Sequence, residues 1–536
     1  MGKALAIALV TLFLSCGAFA QNPQPVSSCE HLAQLVLPHV KITLAQSIPA
    51  GAFTPPPGAT LRPIANPALF KSLPAFCRIV ADAAPSADSD IKIEVWLPAG
   101  GWNGKLQGHG NGGFAGEIDY QLMGIAIRQG YATSGTDTGH AGRATDASWA
   151  LNHPEKVTDF AYRGIHEMTQ TAKAAIKAFY GNNPQHSYFA GCSNGGRQAL
   201  MEAQRFPEDY DGILAGAPAN FWTHLLSSAV WDGQATTLDP ASYIPTSKLP
   251  AIASAVNDAC DARDGVSDGI LNDPRQCHFD PAALLCKTGD SDTCLTAPQA
   301  TALKKLYLGA QDSHGRKIFP GFLPGAEEGP GGWGVWITGT APGQGLLFFF
   351  ATGYFSNFVY NKTDWDYKAA NLDQAVSAAD NKTARTLNAT DPNLKPFQSH
   401  GGKLILYHGW NDPAISPLNS IDYYTSVGHA MGQQTSASFV RLYMVSGMQH
   451  CGGGPGTDSF GQVGAPANSD PQQSVTLALE QWVEKGIAPS TIIATKYADD
   501  PAKSAKMTRP LCPYPQAAKY KGAGDPNTAA NFVCTQ

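Results

Sequence analysis

The sequence is poor in charged side chains. Asp, Glu, Lys and Arg together make up 15% of the 536 residues, and the formal net charge at pH 7 is −6. Because basic residues are not in excess, there is no electrostatic case for a nucleic-acid partner or for binding to an anionic membrane. Hydrophobic residues reach 43%, which is typical of a globular protein. The length allows a large core with an inserted or second domain.

Long hydrophobic runs are also missing, since no stretch reaches the roughly 20 apolar residues that a transmembrane helix needs. At the N-terminus, Lys3 precedes an apolar run at residues 4–14, and the small-residue sequence AFA ends at Ala20. This pattern predicts a secretory signal peptide at residues 1–20. A lipoprotein site at Cys16 is the weaker alternative, because FLSC matches such sites poorly. We therefore expect a secreted or periplasmic protein that makes no membrane contact after cleavage.

Cysteine, by contrast, is abundant. The chain has eleven cysteines, ten of them after the predicted cleavage site, and an even number in an oxidising compartment predicts five disulfides. Three pairs are close in sequence, and a fourth would tie down an N-terminal arm: Cys260–Cys277, Cys286–Cys294, Cys512–Cys534 and Cys29–Cys77. Spacing alone does not fix the connectivity. The two other cysteines, Cys192 and Cys451, lie far apart, and each lies beside a candidate catalytic residue.

Short apolar strands alternate with helices in two parts of the chain. Strand patterns that lead into turns or loops occur at 91–98, 104–116, 131–139, 186–196, 210–219, 403–412 and 438–451, and helical patterns at 157–181, 197–207 and 471–486. This alternation predicts an α/β fold with a mostly parallel central sheet flanked by helices.

The alternation breaks after Asn220, and the chain from 221 to 400 is loop-rich with short helical pieces. We therefore expect one catalytic domain formed by residues 21–220 and 401–536, with residues 221–400 inserted as a lid domain. A large insertion between core strands on the active-site side is a natural lid.

The motif GCSNGG, at residues 191–196, follows an apolar strand and precedes a helix. It has the G-x-S-x-G pattern of a nucleophile elbow, in which small neighbours allow a strained turn that exposes the serine hydroxyl. We therefore predict that Ser193 is a nucleophile. The alternative, a Gly-rich turn with a buried serine, fits the strand–turn–helix context less well.

A catalytic serine needs a base, and the base needs an acid to orient it. In hydrolases with a nucleophile elbow the order along the chain is Ser, Asp, His. Asp412 ends the strand pattern KLILYHGWND, and His450 follows the strand that ends in SGMQHC, so both are predicted at carboxyl ends of strands, where the active face of such a sheet lies. His109, His140 and His408 also lie near strand ends, but chain order favours His450.

An oxyanion hole needs two backbone N–H groups that point at the developing negative charge. One is expected from Asn194, directly after the serine. The other is expected from Gly112 or Gly113, with Gly113 preferred, in the loop GHGNGGFAG after an early strand. A phosphate-binding loop is a poorer interpretation, because the G-x-x-x-x-G-K-[ST] spacing and a dinucleotide-binding fingerprint are both missing.

The motifs GCSNGG, HGWNDPAISP and GMQHCGGGPG together resemble those of the tannase and feruloyl esterase family of secreted α/β-hydrolases. The resemblance extends over nearly the whole mature chain, including the insertion and the ten cysteines. It implies an α/β-hydrolase fold with a lid, a triad of Ser193, Asp412 and His450, and a disulfide between Cys192 and Cys451. That bridge would join the loops that carry the nucleophile and the base.

A second matching element is CDARDGVSDGILNDPRQC, at residues 260–277, in which acidic residues alternate with turn glycines. Three carboxylates and two backbone carbonyls could surround one hard cation, and calcium accepts such an all-oxygen set: Asp261, Asp264, Asp268, Val266 and Ile270. The register is not that of an EF-hand. The resemblance implies a structural calcium ion in the lid, without a catalytic role, and we expect no organic cofactor. The alternative is a solvated acidic turn.

Members of this family cleave galloyl esters, hydroxycinnamoyl esters or mono(2-hydroxyethyl) terephthalate, so the resemblance implies a small substrate with an aromatic acyl group. The lid segment around 345–367 is rich in aromatic residues that could hold such a ring, and Phe355 and Ile415 are the predicted pocket residues. The terephthalate enzyme is understood to hold the free carboxylate of its substrate with a lid arginine, whereas residues 345–361 contain no Arg or Lys.

We therefore expect a secreted serine esterase that acts on feruloyl-type esters, with a tannase or a terephthalate monoester hydrolase as the alternatives within the family. A catalytically inactive binding module is the alternative from a different class, and the intact Ser, Asp and His in order argue against it. A peptidase of the same fold is a further alternative, but the bridge and the metal-bound lid favour the esterase. The sequence does not indicate an oligomeric state.

Overall fold

The fold is given by a computed structural model that describes residues 24–57, 67–465, 468–500 and 502–536. The predicted signal peptide at residues 1–20, with Cys16, lies outside the described residues. No helix within the described residues is long and apolar enough to cross a membrane.

The centre of the molecule is a nine-stranded sheet with the strand order β1-β2-β3-β5-β4-β6-β7-β8-β9. Its strands are β1 (Val40–Ile48), β2 (Phe76–Ala83), β3 (Ile91–Pro98), β4 (Lys105–His109), β5 (Ala132–Thr136), β6 (His186–Cys192), β7 (Gly212–Gly216), β8 (Lys403–Gly409) and β9 (Val440–Val445). The strands from β5 to β9 in this order pair in parallel, and β1, β2 and β3 extend one edge in antiparallel fashion. The predicted fold class is confirmed.

Helices cover both faces of the sheet. Because both faces are buried, the central strands are continuous apolar runs in the sequence. Every residue of β5 and β7 is buried, as expected when a parallel sheet is covered on both sides. The helices before the insertion are α1 (Pro67–Lys71), α2 (Tyr120–Arg128), α3 (Pro154–Thr158), α4 (Gly164–Tyr180) and α5 (Asn194–Arg205). The helix predicted at 157–181 begins earlier, at Pro154, and contains a π-helical turn at Asp159–Arg163 before it ends at Gly181.

The chain between β7 and β8 is the predicted lid, and it forms a helical layer that contacts the loops after β8 and β9. Its helices are α6 (Trp222–Thr237), α7 (Leu249–Cys260), α8 (Ala297–Leu308), α9 (Trp333–Trp336), α10 (Leu346–Tyr354), α11 (Leu372–Ala379), α12 (Arg385–Leu387) and α13 (Lys395–Ser399). The lid binds the loops after β8 and β9: the Gln449 amide donates to the carbonyl of Glu328 at 2.9 Å, and the Ser416 hydroxyl donates to that of Gly321 at 2.7 Å. These contacts hold the lid directly over the loops that carry the predicted acid and base.

The chain after β8 is the second part of the predicted catalytic domain. It contributes α14 (Leu418–Met431), α15 (Gln433–Ala437) and α16 (Val475–Lys485), and two small sheets formed by β10 (Ile492–Tyr497) with β11 (Ala505–Leu511) and by β12 (Ala517–Tyr520) with β13 (Phe532–Thr535).

All five predicted disulfides are present. They are Cys29–Cys77, Cys192–Cys451, Cys260–Cys277, Cys286–Cys294 and Cys512–Cys534. Four of them join positions that are no more than 48 residues apart, whereas Cys192 and Cys451 are separated by 259 residues.

Candidate active site

Ser193 lies at the apex of a sharp turn between β6 and α5. Its φ of 65° and ψ of −124° lie in a region that costs a non-glycine residue roughly 1–3 kcal/mol. Glycines make the turn possible: a Cβ on Gly191 would lie 2.2 Å from the Gly195 carbonyl oxygen, and one on Gly196 would lie 2.3 Å from that of Gly216. The N–H of Ser193 also donates to the Gly216 carbonyl at 3.0 Å. This is the geometry of a nucleophile elbow.

Asp412 lies in the turn after β8, and its carboxylate is completely buried. Nδ1 of His450 donates to Oδ2 of Asp412 at 2.7 Å, and Oδ1 accepts from the N–H groups of Ala414 and Ile415 at 2.8 and 3.0 Å. Burial alone would raise the pKa of Asp412, but the charge of His450 and the hydrogen bonds from His408 and His450 outweigh it and hold the pKa well below its usual range. Ionised Asp412 therefore fixes a hydrogen on Nδ1 of His450 and leaves Nε2 as the basic nitrogen.

The bridge between Cys192 and Cys451 links the two loops that carry these residues. Cys192 is the last residue of β6, directly before Ser193, and Cys451 directly follows His450. The Cα atoms of the two cysteines are 6.1 Å apart. Ser193 and His450 are therefore each adjacent in sequence to one of the two cysteines of this disulfide.

Two backbone N–H groups in the same cavity as the serine are candidates for an oxyanion hole. Asn194 is the first residue of α5, where a helix offers no acceptor to the backbone N–H. In the Gly-rich loop, the N–H of Phe114 donates to the carbonyl of Ala144 at 2.7 Å, whereas the N–H groups of Gly113 and Asn194 have no acceptor among the described residues. Gly113 has a φ of 57°, and a Cβ there would lie 2.5 Å from the Ala144 carbonyl oxygen, so the loop requires glycine at this position.

Ser193, His450, Asn194 and Gly113 all line one cavity of about 660 Å³. Its apolar wall comes from the lid helices α6, α9 and α10 and from the turn after Asp412: Trp222, Leu225, Trp336, Leu346, Phe350 and Ile415. Glu117 and Asp119 also lie in the wall, and the described residues that line the cavity include no Lys or Arg. A second cavity, of about 620 Å³ between α2 and α16, is lined by His109 but not by Ser193, Asp412 or His450.

Comparisons with known proteins agree with this site. The family model described as "Tannase and feruloyl esterase" matches residues 77–535. The chain belongs to the tannase and feruloyl esterase family. It is a carboxylic ester hydrolase.

Individual relatives match over almost the whole chain. An uncharacterized esterase of Xanthomonas campestris is 42% identical, over 98% of this chain and 94% of that protein. A probable feruloyl esterase B-2 of Aspergillus terreus is 33% identical, over 96% of this chain and 97% of that protein. The crystal structure of feruloyl esterase B from Aspergillus oryzae superposes with a TM-score of 0.86 at 31% identity, over 95% of this chain and 99% of that one.

Two histidines that compete with His450 in the sequence of the esterase have other partners. Nε2 of His109 lies 3.1 Å from the Thr133 hydroxyl, and Nε2 of His140 lies 2.8 Å from the Phe114 carbonyl oxygen. Burial lowers the pKa of His140 to about 4, although its backbone hydrogen bonds act in the opposite direction. Neither residue lines the cavity that contains Ser193.

The prediction that Phe355 lines the pocket is wrong. Its side chain is completely buried in the lid, where its ring stacks on Trp365 at 4.8 Å and contacts Tyr354 at 5.0 Å. The cavity is lined instead by Leu346, Leu347 and Phe350, earlier in the same apolar segment. Ile415, the other predicted pocket residue, does line the cavity.

Arg197, which the sequence did not single out, supports the serine turn from inside. It is fully buried, its Nε donates to Oδ1 of Asn194 at 2.8 Å, and its guanidinium lies between the rings of Phe160 and Trp222 at 5.0 and 5.1 Å. Burial, with the charge of Arg205, lowers the pKa of Arg197 to about 9, so it is charged at neutral pH. A buried cation therefore anchors the first turn of α5 next to the nucleophile.

The predicted calcium ligands lie in a lid loop that Cys260–Cys277 closes. The carboxylate of each aspartate accepts a hydrogen bond from a backbone N–H of the loop. The donors are Gly269 to Asp261 (3.0 Å), Val266 to Asp264 (3.0 Å) and Ile270 to Asp268 (3.1 Å). The three carboxylates are bound to the loop rather than gathered around one point.

The charge of this loop is only partly balanced. Arg509 pairs with Asp268, while burial and the neighbouring carboxylates raise the pKa of Asp264 to about 6 against its backbone hydrogen bonds. Oδ1 of Asp261 is buried and has no hydrogen-bond partner among the described residues. An unpaired carboxylate oxygen and an excess of negative charge fit a hard divalent cation.

Proposed function

We propose that the protein hydrolyses esters of hydroxycinnamic (feruloyl-type) acids through a covalent acyl-enzyme on Ser193. The observation that carries the proposal is the shared cavity. It brings the strained serine, the His450–Asp412 pair and the N–H groups of Asn194 and Gly113 to one apolar, partly aromatic space. These are the parts that acyl transfer needs: a nucleophile, an oriented base and an oxyanion hole.

The geometry supports the following steps. Nε2 of His450 takes the hydroxyl proton of Ser193 as the serine oxygen attacks the ester carbonyl carbon. The N–H groups of Asn194 and Gly113 donate to the oxyanion, while Asp412 stabilises protonated His450. His450 then gives its proton to the leaving alcohol, and a water molecule, deprotonated by His450, attacks the acyl-enzyme and releases the aromatic acid.

The cavity wall favours a phenolic acyl group over one that carries a carboxylate. A flat ring fits between apolar and aromatic walls. The free carboxylate of a terephthalate monoester would meet Glu117 and Asp119 and no cation among the described lining residues, although such a group is best held by Arg or Lys. Phenolic hydroxyls can instead donate to carboxylates. The name feruloyl esterase B, carried by the Aspergillus relatives, favours feruloyl over galloyl esters.

A side-by-side measurement of kcat/KM tests this proposal, with methyl ferulate, methyl gallate and mono(2-hydroxyethyl) terephthalate as substrates and Ser193→Ala as the blank. We expect methyl ferulate to be hydrolysed fastest and the terephthalate ester at least about tenfold more slowly, because its charge is repelled. A preference for methyl gallate would identify a tannase instead. A preference for the terephthalate ester would contradict the proposed repulsion of its carboxylate by Glu117 and Asp119 in the cavity wall. No hydrolysis of any of the three esters would favour a binding module.

We also propose that the acidic lid loop holds one structural calcium ion. The ligands would be the carboxylates of Asp261, Asp264 and Asp268, which would turn from their backbone hydrogen bonds toward one point, and the carbonyl oxygens of Val266 and Ile270. Support comes from the unpaired Oδ1 of Asp261 and from the uncompensated negative charge. The ion would stabilise the lid, and none of the catalytic steps passes through it.

Finally, we propose that the protein is secreted or periplasmic. Five disulfides are typical of proteins that fold in an oxidising compartment, and the N-terminal sequence has the pattern of a signal peptide.

A further inference from the structure

A second histidine lies beside the candidate triad. His408 is in β8, four residues before Asp412, and its side chain is completely buried. Its Nε2 lies 3.1 Å from Oδ2 of Asp412 and 3.1 Å from the carbonyl oxygen of Ile415, and its Nδ1 lies 2.7 Å from Oγ of Ser420 in α14. Both ring nitrogens are therefore paired in a place where an unpaired polar atom would be strongly destabilising.

The partners determine which nitrogen carries the hydrogen. The carbonyl oxygen of Ile415 and the ionised carboxylate of Asp412 can only accept, so Nε2 of His408 is the donor. A neutral ring whose Nδ1 accepts the hydroxyl hydrogen of Ser420 satisfies all of these partners.

Oδ2 of Asp412 consequently receives two imidazole donors, His450 at 2.7 Å and His408 at 3.1 Å. Oδ1 is held at the same time by two backbone N–H groups. We propose that His408, fixed by Ser420, is a positioning residue that holds Asp412 in place. By donating to Oδ2 of Asp412, His408 also makes that oxygen a weaker acceptor for His450. The proposal rests on the proposed roles of Asp412 and His450 in the triad.

Charged side chains on the surrounding elements point elsewhere. Arg441 of β9 lies over the ring of Trp482 at 5.0 Å, and Asp422 of α14 pairs with Lys317 at the surface. In the lid, buried Glu327 is bonded to the hydroxyl of Tyr307 and to the backbone of Gly325. The titratable groups that act directly on Asp412 are thus His408 and His450.

This arrangement has a consequence for the pH dependence of catalysis. Without His408, Oδ2 of Asp412 would interact with His450 alone, and a stronger acceptor favours the protonated imidazole. Because only unprotonated His450 can act as a base, the acid limb of the kcat/KM profile would move to higher pH. A residue that only fills the core would lower the yield of folded protein without moving this limb.

The test compares three variants with a matched control. His408→Phe removes the donor but keeps a ring of similar size, whereas His408→Gln keeps an N–H donor near the position of Nε2. Ser420→Ala removes only the partner of Nδ1. The control is His166→Phe, because His166 of α4 also pairs with an aspartate, Asp209, at 2.6 Å, and does not line the active-site cavity.

We expect His408→Phe to shift the acid limb upward by about one pH unit and therefore to lower kcat/KM by about tenfold at pH values below the limb. His408→Gln should retain the wild-type limb, Ser420→Ala should shift it by less in the same direction, and His166→Phe should leave it unchanged. The readout is kcat/KM for methyl ferulate across the pH range, with circular dichroism to confirm folding.

A folded His408→Phe variant with the wild-type acid limb would overturn the proposal. If that variant does not fold, a wild-type limb in Ser420→Ala would overturn it. Failure of the underlying function has a different signature: full activity in Ser193→Ala would refute the triad itself, whereas an inactive Ser193→Ala with unshifted His408 and Ser420 variants refutes only the positioning role.

Discussion

Two disulfide-closed parts of the molecule differ in what their bridges hold. Cys192–Cys451 joins positions 259 residues apart, and its neighbours Ser193 and His450 both line the active-site cavity. Cys260–Cys277 spans only 17 residues and closes a lid loop whose carboxylates bond to its own backbone.

One bridge is expected to position catalytic groups, and the other is expected to stabilise the lid. The bridge between Cys192 and Cys451 fixes the distance between the two loops that carry the proposed nucleophile and the proposed base, so its loss should appear in catalysis. The bridge at Cys260–Cys277 fixes a loop that lies outside the cavity wall, so its loss should appear in the stability of the lid. Each of the following predictions tests whether the two regions fail in these different ways.

The largest effect is expected from Ser193→Ala. Loss of the nucleophile should lower kcat/KM for methyl ferulate by about 10,000-fold, while Tm should stay close to that of the wild type because the substitution removes only a hydroxyl group. Steady-state assays and thermal unfolding of the same preparation measure both. Substantial activity in the purified variant would show that Ser193 is not the nucleophile. The Cys192–Cys451 bridge would then have no catalytic residue to position.

The double variant Cys192→Ala/Cys451→Ala should lose about 10- to 100-fold in kcat/KM, because a small displacement of the reacting groups lowers the rate strongly. The matched control, Cys260→Ala/Cys277→Ala, should retain near-wild-type kcat/KM per folded molecule. In the chain-entropy description the stabilisation by the two bridges differs by only about 2.4 kcal/mol, roughly 5.6 against 3.1 kcal/mol for loops of 259 and 17 residues. Equal losses of activity per folded molecule in both double variants would show that the comparison is wrong.

Removal of calcium should have the smallest effect on chemistry and a clear effect on stability. A chelator should lower Tm by about 2–3 °C if calcium is present at about 100 times its Kd, and kcat below the transition should not change. Asp264→Asn should abolish this response, whereas Asp312→Asn, at an exposed lid turn where Asp312 pairs with Arg316 at 2.6 Å, should preserve it. An unchanged Tm in the chelated wild type would argue for a solvated acidic turn.

The sequence predicts the parts of the site that chain order and backbone geometry determine. Ser193, Asp412 and His450 were predicted because each follows a strand of a parallel sheet, and such strands end at the same edge. The elbow could be predicted because a turn as tight as that at Ser193 admits only small residues as neighbours, and glycine is visible in a sequence.

Side-chain direction within apolar segments could not be predicted in the same way. The helix α10 is apolar on all sides, so no periodicity shows that Leu346 and Phe350 face the cavity while Phe355, just beyond it, faces the lid core. Neither the burial of Arg197 nor the contact between His408 and Asp412 could be predicted, for a related reason. Arg197 donates to backbone carbonyls of distant segments, and the partners of His408 come together only when the turn after β8 and the start of α14 fold. A charged or titratable residue looks the same in sequence whether it is buried or exposed.

The central claim is that Ser193 is the activated nucleophile, and covalent labelling tests it most directly. The protein is treated with an organophosphonate ester, and the adduct is located by intact-mass measurement and peptide mapping. The account predicts one adduct per chain, on Ser193, which is absent from Ser193→Ala and forms much more slowly in His450→Ala. No adduct in a folded, hydrolytically active preparation, or an adduct on another residue, would contradict it.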